Sequence, residues 1–241
     1  MNSPADRIRQ QLDQVAHLRA SFTNDATAQA VREIKVLQAR RFEATYADLL
    51  QDTRHRPATR FFLDELYGDH DFAQRDAQFG RIAGAIERLF PEAVAQLAVD
   101  MAELHAVTEQ LDATLGAHWQ ASPQLSPAPR YVGAWRQTGT RAQRTQQLRV
   151  VLQMGHELQR LTRMKSLRLA LRMMRGPAQA GGLGALHAFL ERGFEAFGHM
   201  GDASEFLSAV QQRESHWLDV LFDDPGAAGQ LGPLLGDTRI T

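Results

Sequence analysis

Apolar residues recur along most of this chain at steps of three and four, the spacing that stacks them on one face of an α-helix. Ile8, Leu12, Val15 and Leu18 form one such stripe, and Val31, Ile34, Leu37, Phe42, Tyr46 and Leu49 form the next. They predict helices over about residues 5–20 and 25–51. Pro57 marks a connection. A short helix over 59–67 ends at Gly68, a residue that takes the left-handed conformation past a helix end at low steric cost. Asp71 then stands as an N-cap with Gln74 three residues on, an Asp form of the capping box. That helix is expected to reach about Phe90, and Pro91 suits the first position of the next. Val94, Leu97, Met101, Leu104, Thr108, Leu111 and Leu115 alternate steps of three and four, the pattern of a bundle seam.

Residues 117–129 contain three prolines and no charged side chain, so they read as a long loop and the candidate point of subdivision. A short piece at 131–136 leads into a long helical region, 140–175, with a break expected near 160–162. Gly176-Pro177 should stop it, and Gly181, Gly182 and Gly184 make a joint. Leu183, Leu186, Leu190, Phe194 and Phe197 line one face of the following helix, which Gly201 closes. Asp202 and Glu205 suggest a second capping box, and Phe206, Leu207, Val210, Trp217, Leu218 and Leu221 supply the last stripe. No period-two alternation and no Asn-Gly or Asp-Gly hairpin signal appears. The expectation is an all-α fold, a multi-helix bundle of about eight or nine mostly antiparallel helices. One domain is expected over 1–225, with a loosely ordered tail over 226–241.

Composition narrows the function. At 241 residues, 44% apolar and 23% charged, the chain can bury a sizeable core. The absence of cysteine excludes disulfides, thiolate metal sites and cysteine nucleophiles. No apolar run has the roughly 18 residues of a membrane span, and the first residues lack the apolar stretch of a signal peptide. These features predict a cytoplasmic protein.

Net charge is −1, yet its distribution is uneven. Over 130–175, ten arginines and one lysine face one acid, Glu157; over 61–112, eleven acids face three arginines. Lys165, Arg168, Arg172 and Arg175 fall on one stripe of a helix that turns by about 100° per residue. They are candidate anion- or partner-binding residues. Pairing with the acidic flanks of the same chain is the competing account, and overall neutrality favours it. No nucleic-acid-binding motif accompanies the stripe, which argues against nucleic acid as a partner.

The densest stretch is 61–82, FFLDELYGDHDFAQRDAQFGRI. Aromatic and aliphatic residues surround Gly68, with acids crowded beside them. The reading favoured here is a helix–turn–helix corner in which Asp71 caps and Arg75 pairs with Asp76. A ligand site in the same corner is the alternative. The stretch lacks the ligand spacing of a calcium loop. The pattern Phe61-Phe62-Leu63, Leu66-Tyr67-Gly68, Asp71-Phe72, Arg75-Asp76 resembles a family of uncharacterised bacterial helical proteins, as do Phe189-Leu190, Gly193-Phe194, Ala196-Phe197, Phe206-Leu207 and Arg213-Glu214. The resemblance implies a helical fold and no activity. Tyr67, Gly68, Asp71, Arg75 and Asp76 are therefore the candidate residues of this corner.

Other chemistry is thinly represented. No Gly-x-Ser-x-Gly, Walker loop, dinucleotide fingerprint, His-Glu-x-x-His or Glu-x-x-His pair occurs. Glu103 and His105, two apart, point in different directions on a helix. His156 and His187 lie on or beside apolar helix faces, where core histidines outnumber cofactor ligands. No catalytic residue, metal site or cofactor is assigned. The leading expectation is a non-enzymatic helical protein that binds a protein partner, or a second copy of itself, through a charged helix face. The alternative is a bundle with a small-molecule or cofactor pocket lined by the 61–82 corner and His156 or His187.

Overall fold

A computed structural model describes residues 2–22, 25–66 and 72–236. The chain is all-α, 85% helical, with no strand among the described residues. In chain order the first six helices are α1 (Pro4–Ala20), α2 (Asp25–Thr45), α3 (Ala47–Gln51), α4 (Arg56–Leu66), α5 (Ala73–Leu89) and α6 (Glu92–Gln120). They are followed by α7 (Pro127–Arg136), α8 (Arg141–Thr162), α9 (Lys165–Met173), α10 (Arg175–Ala180), α11 (Gly184–Met200), α12 (Ser204–Asp223) and α13 (Ala227–Leu235).

Thirteen helices among the described residues, eleven of them seven residues or longer, exceed the eight or nine expected. The excess comes from short breaks that leave hydrophobic spacing intact. Tyr46 separates α2 from α3, and the 140–175 region divides at Arg163–Met164 and again at Met174. Gly176-Pro177 does not stop the chain. It opens the short α10, where a proline in the first turn forfeits no helical hydrogen bond.

Other boundaries moved as well. The proline-rich loop shrinks, because α6 runs on through Trp119 and α7 begins at Pro127. The segment expected as a loose tail contains α13, whose Leu231 and Leu235 are buried. Asp202 does not form a capping box with Glu205. Its carboxylate accepts from the Ser204 N–H at 3.0 Å and from Gln159, while Glu205 turns to Arg54. A true capping box instead joins Thr140 and Gln143 at the start of α8. Gly201 does close α11, at φ 74°, a conformation that L side chains rarely adopt.

The core falls into three clusters, two of which are built on opposite ends of α6. One packs the start of α6 against α1, α5 and the first part of α11, through Ile8, Phe79 and Val99. A second joins α4, the end of α11 and the start of α12 through Phe62, Phe197 and Phe206. The third gathers α2, the end of α6, α7, α12 and α13 around Trp119, Tyr131 and Leu231, so it bridges both sides of the proline-rich loop. Each fully buried side chain of this size contributes roughly 1.5–3 kcal/mol. Two cavities lie where these clusters meet.

Candidate functional site

The larger cavity has a volume of about 270 Å³. Five helices enclose most of it: α4, α5, α6, α8 and α11. Its walls are aromatic and aliphatic, with Phe61, Phe79, Met101, Met154 and Phe189 prominent. The residues of the α6 seam from Val94 to Thr108 are cavity wall rather than close-packed core. Gly193 lets α11 approach Phe61: a Cβ there would lie 2.8 Å from the ring. Phe90 and Leu190 belong to the lining and are 40% and 39% exposed, so they mark the side that reaches solvent.

One end of this cavity is charged. Asp76 is buried, and both carboxylate oxygens are engaged. Oδ2 accepts from Arg19 Nη1 at 3.0 Å and from His105 Nε2 at 2.9 Å; Oδ1 accepts from Arg75 Nε at 3.3 Å and Nη2 at 3.2 Å. Four donors fill the acceptor capacity of a carboxylate, so Asp76 is a hub and has no lone pair to spare as a base. Burial pushes its carboxyl up, but the His105 bond and the Arg75 and Arg19 charges outweigh this and hold it below the ordinary range. Glu109 repeats the balance: burial raises it, and Lys35 at 2.6 Å together with Arg19 brings it below the ordinary range.

Arg75 extends the network. It donates to Glu65 at 3.1 Å, and Glu65 also accepts from Arg192. Its guanidinium carbon stands 4.1 Å from the centre of the Phe72 ring and 5.0 Å from that of Phe189. Cation, carboxylate and aromatic wall are thereby locked together. The Asp76 carboxylate accepts from His105 Nε2, which sets the orientation of the imidazole ring.

The smaller cavity, about 120 Å³, is the more polar of the two, with Gln38, Arg41, Asp112, Arg144 and Glu214 in its lining. It lies between α2, α6, α7, α8 and α12, and Phe62, Leu104, Thr108 and Val151 border both cavities. Asp112 is 2% exposed and accepts from Gln38 Nε2 at 3.0 Å. Burial holds its carboxyl above the ordinary range despite Lys35, Gln38 and Arg144. Burial also pushes the Tyr131 hydroxyl up to about 12. Arg41 forks onto Glu214 at 3.1 and 2.9 Å, and Glu214 accepts from the Tyr46 hydroxyl too. Arg144 stacks 4.0 Å over the Trp135 ring and donates to Gln147 at 3.3 Å. Trp135 Nε1 is buried with no acceptor among the described residues.

The candidates from the sequence separate into distinct places. Arg75 and Asp76 meet in the hub, where they contact one another as expected but answer mainly to Arg19, His105 and Glu65. Tyr67, Gly68 and Asp71 lie outside the described residues. The basic stripe is on α9 and the start of α10, at the surface. Arg175 pairs with Glu191 at 2.5 Å, and Arg168 donates to the Thr162 carbonyl at 2.9 Å. Arg172 lies close enough to help lower the Glu191 carboxyl, after Arg175. Lys165 makes no hydrogen bond or ion pair among the described residues. His156 is exposed, and His187 donates to the Leu171 carbonyl at 2.8 Å; neither lines the large cavity.

Sequence reasoning missed Arg19, Lys35, His105 and Glu109. The only signal available was polarity within otherwise apolar faces, such as Glu109 beside the α6 seam. Among the described residues, no three His, Asp or Glu side chains are grouped to hold a metal. No helix among them is long and apolar enough to cross a membrane. No curated protein and no solved structure matches the chain. Residues 17–227, which include both cavities' linings apart from Leu12, match the family model of a domain of unknown function, DUF8198, and the chain belongs to that family.

Proposed function

We propose that this chain binds a small, largely apolar molecule in the large cavity. The observation that carries the reading is the cavity itself. Protein interiors are close-packed, and voids larger than a water molecule are few. The cavity opens to solvent beside Phe90 and Leu190, so an apolar occupant gains by taking about 270 Å³ of apolar-walled space from water. An apolar cavity of roughly 150 Å³ admits benzene, so this one suits an apolar body of about ten carbon atoms. The hub around Asp76 supports the reading by fixing the walls on α1, α4, α5 and α6 in place, with Arg192 of α11 tied in through Glu65, which lowers the ordering cost of binding.

The neutral ten-carbon fluorophore 1-naphthylamine, matched to this size, tests the proposal. It should bind the full chain with one-to-one stoichiometry and shift its emission to the blue on entry. Ala98 lines the cavity, and Ala98→Phe should remove binding while circular dichroism stays unchanged. A folded wild-type chain that leaves the emission unshifted, or a variant that binds the dye equally, would sink the proposal.

A second reading keeps a specific observation. On α9 the apolar Leu169 and Met173 are 59% and 70% exposed beside Lys165 and Arg172. This surface supports docking of a protein partner with an acidic, partly apolar face. Pull-down with wild type and a Leu169→Ser/Met173→Ser variant checks it: a partner held equally by both would remove α9 from the account.

A further inference from the structure

The small polar cavity has features that a packing defect does not explain. It abuts the apolar cavity along Phe62, Leu104, Thr108 and Val151, so an occupant reaching from one into the other has only these side chains to pass. At about 120 Å³ it has room for about four waters, or for one polar group and two waters. Trp135 lines it and is only 8% exposed, yet its Nε1 has no acceptor among the described residues. An indole N–H is a donor only, so what completes it is an oxygen acceptor.

The charges around this group set the kind of oxygen. Arg144 covers the same indole ring and is itself buried, which places a positive charge beside the N–H. Arg41 and Glu214 neutralise one another through their fork. Asp112 lines the same cavity within the field of Arg144, and burial holds its carboxyl toward the neutral form, so it opposes an incoming anion less than its formal charge suggests. A carboxylate presents two oxygens with about four lone pairs and suits an N–H beside a guanidinium.

We propose that the polar cavity receives the carboxylate of an amphiphilic acid whose apolar body, about ten carbons long, fills the larger cavity. This rests on the small-molecule reading above and adds to it an orientation and a ligand class: medium-chain or compact aromatic carboxylic acids. The apolar cavity sets the size of the tail, and the Trp135–Arg144 pair selects the head.

The test uses the full chain, with 1-naphthylamine as the reporter and decanoate and decan-1-ol as competitors of equal length. Decanoate should displace the dye at a concentration about tenfold or more below that of decan-1-ol, the advantage expected of a hydrogen bond to a charged group. Trp135→Phe keeps an aromatic ring beside Arg144 and removes the N–H together with the five-membered ring that carries it. It should erase the advantage of decanoate while leaving dye and decan-1-ol affinities within about twofold of wild type, in a chain that stays folded by circular dichroism and loses thermal stability only through the smaller side chain. Equal displacement by acid and alcohol, or an unchanged advantage in Trp135→Phe, overturns the head-group assignment and leaves the apolar cavity standing. Failure of the folded wild-type chain to bind dye, acid or alcohol overturns both.

Discussion

Around Asp76, the side chains of Arg19, Arg75, Lys35 and His105 meet three buried carboxylates within hydrogen-bonding distance; along α9, Lys165, Arg168 and Arg172 look outward, with Leu169 and Met173 beside them. In the linear chain the basic stripe is the more conspicuous of the two. In the fold the scattered charges form the network. What separates them is dielectric environment: a buried pair must be matched group by group, whereas an exposed cation is satisfied by water. The contrast teaches where sequence charge has structural consequence, and it can be tested by breaking each side in turn.

The largest effect is expected at the hub. Asp76→Ala leaves His105 without its acceptor and removes one anion from between two guanidinium groups. It should lower stability by about 3–5 kcal/mol, read as the shift in a urea unfolding curve. A loss under about 1 kcal/mol would mean that water replaces the carboxylate, and that the hub behaves like a surface cluster.

Next is close packing. A Cβ on Gly155 of α8 would stand 2.5 Å from Cδ2 of Leu207, which is buried in the second core cluster. Gly155→Ala should cost about 1–3 kcal/mol. Gly176 in α10 has no neighbour within 4 Å of its virtual Cβ, so Gly176→Ala should be neutral or stabilise by up to about 1 kcal/mol. Thermal unfolding of the pair measures the difference between interior and periphery. Equal effects would remove it.

These two regions also show what the chain betrays in advance. The helices were legible because burial on one face imposes a period on the residues, and Ile8–Leu18 or Phe206–Leu221 carry that period openly. A break near 160–162 was read from the sequence and falls at Arg163–Met164, but the one at Met174 was not, since that residue does not forbid helix and the break depends on how α9 and α10 fold back toward α11. Arg75 and Asp76 stood out as neighbours in a dense motif. Their partners did not: Arg19 is 57 residues from Asp76 and His105 is 29. Glu103 and His105 do diverge as their spacing implies, Glu103 to Arg7 and His105 to Asp76. Cavities were invisible altogether. A cavity is space that side chains leave between helices, and the α6 seam has the same spacing whether its leucines meet neighbours or empty volume.

A smaller effect is predicted for Asp112, buried like Asp76 but with no ion pair among the described residues. In the folded chain its carboxyl titrates above the ordinary value of 3.8, so folding takes up a proton as the pH rises past that value. Its contribution is therefore fully present below the ordinary value and is lost as the pH rises through the folded one. Asp112→Asn keeps an oxygen for Gln38 and abolishes the titration. It should gain about 1 kcal/mol at about pH 8 and nothing at about pH 3. A difference that does not vary with pH would show an ionised, well-compensated carboxylate, and Asp112 would join Asp76 as a paired group.

The smallest effect belongs to α9. Lys165→Ala/Arg172→Ala removes two charges from an exposed face on which Lys165 has no partner among the described residues, so stability should change by less than about 0.5 kcal/mol. The measurement is informative because the stripe has two uses that predict different things. If the cations serve the fold, through Glu191 or the other acids of α11, the loss would exceed about 1 kcal/mol and would shrink as salt screens it. If they serve a partner, stability stays level and the cost falls on binding alone. A null effect on unfolding is thus the result that keeps α9 as a docking surface, and it is the counterpart of the large effect expected at Asp76.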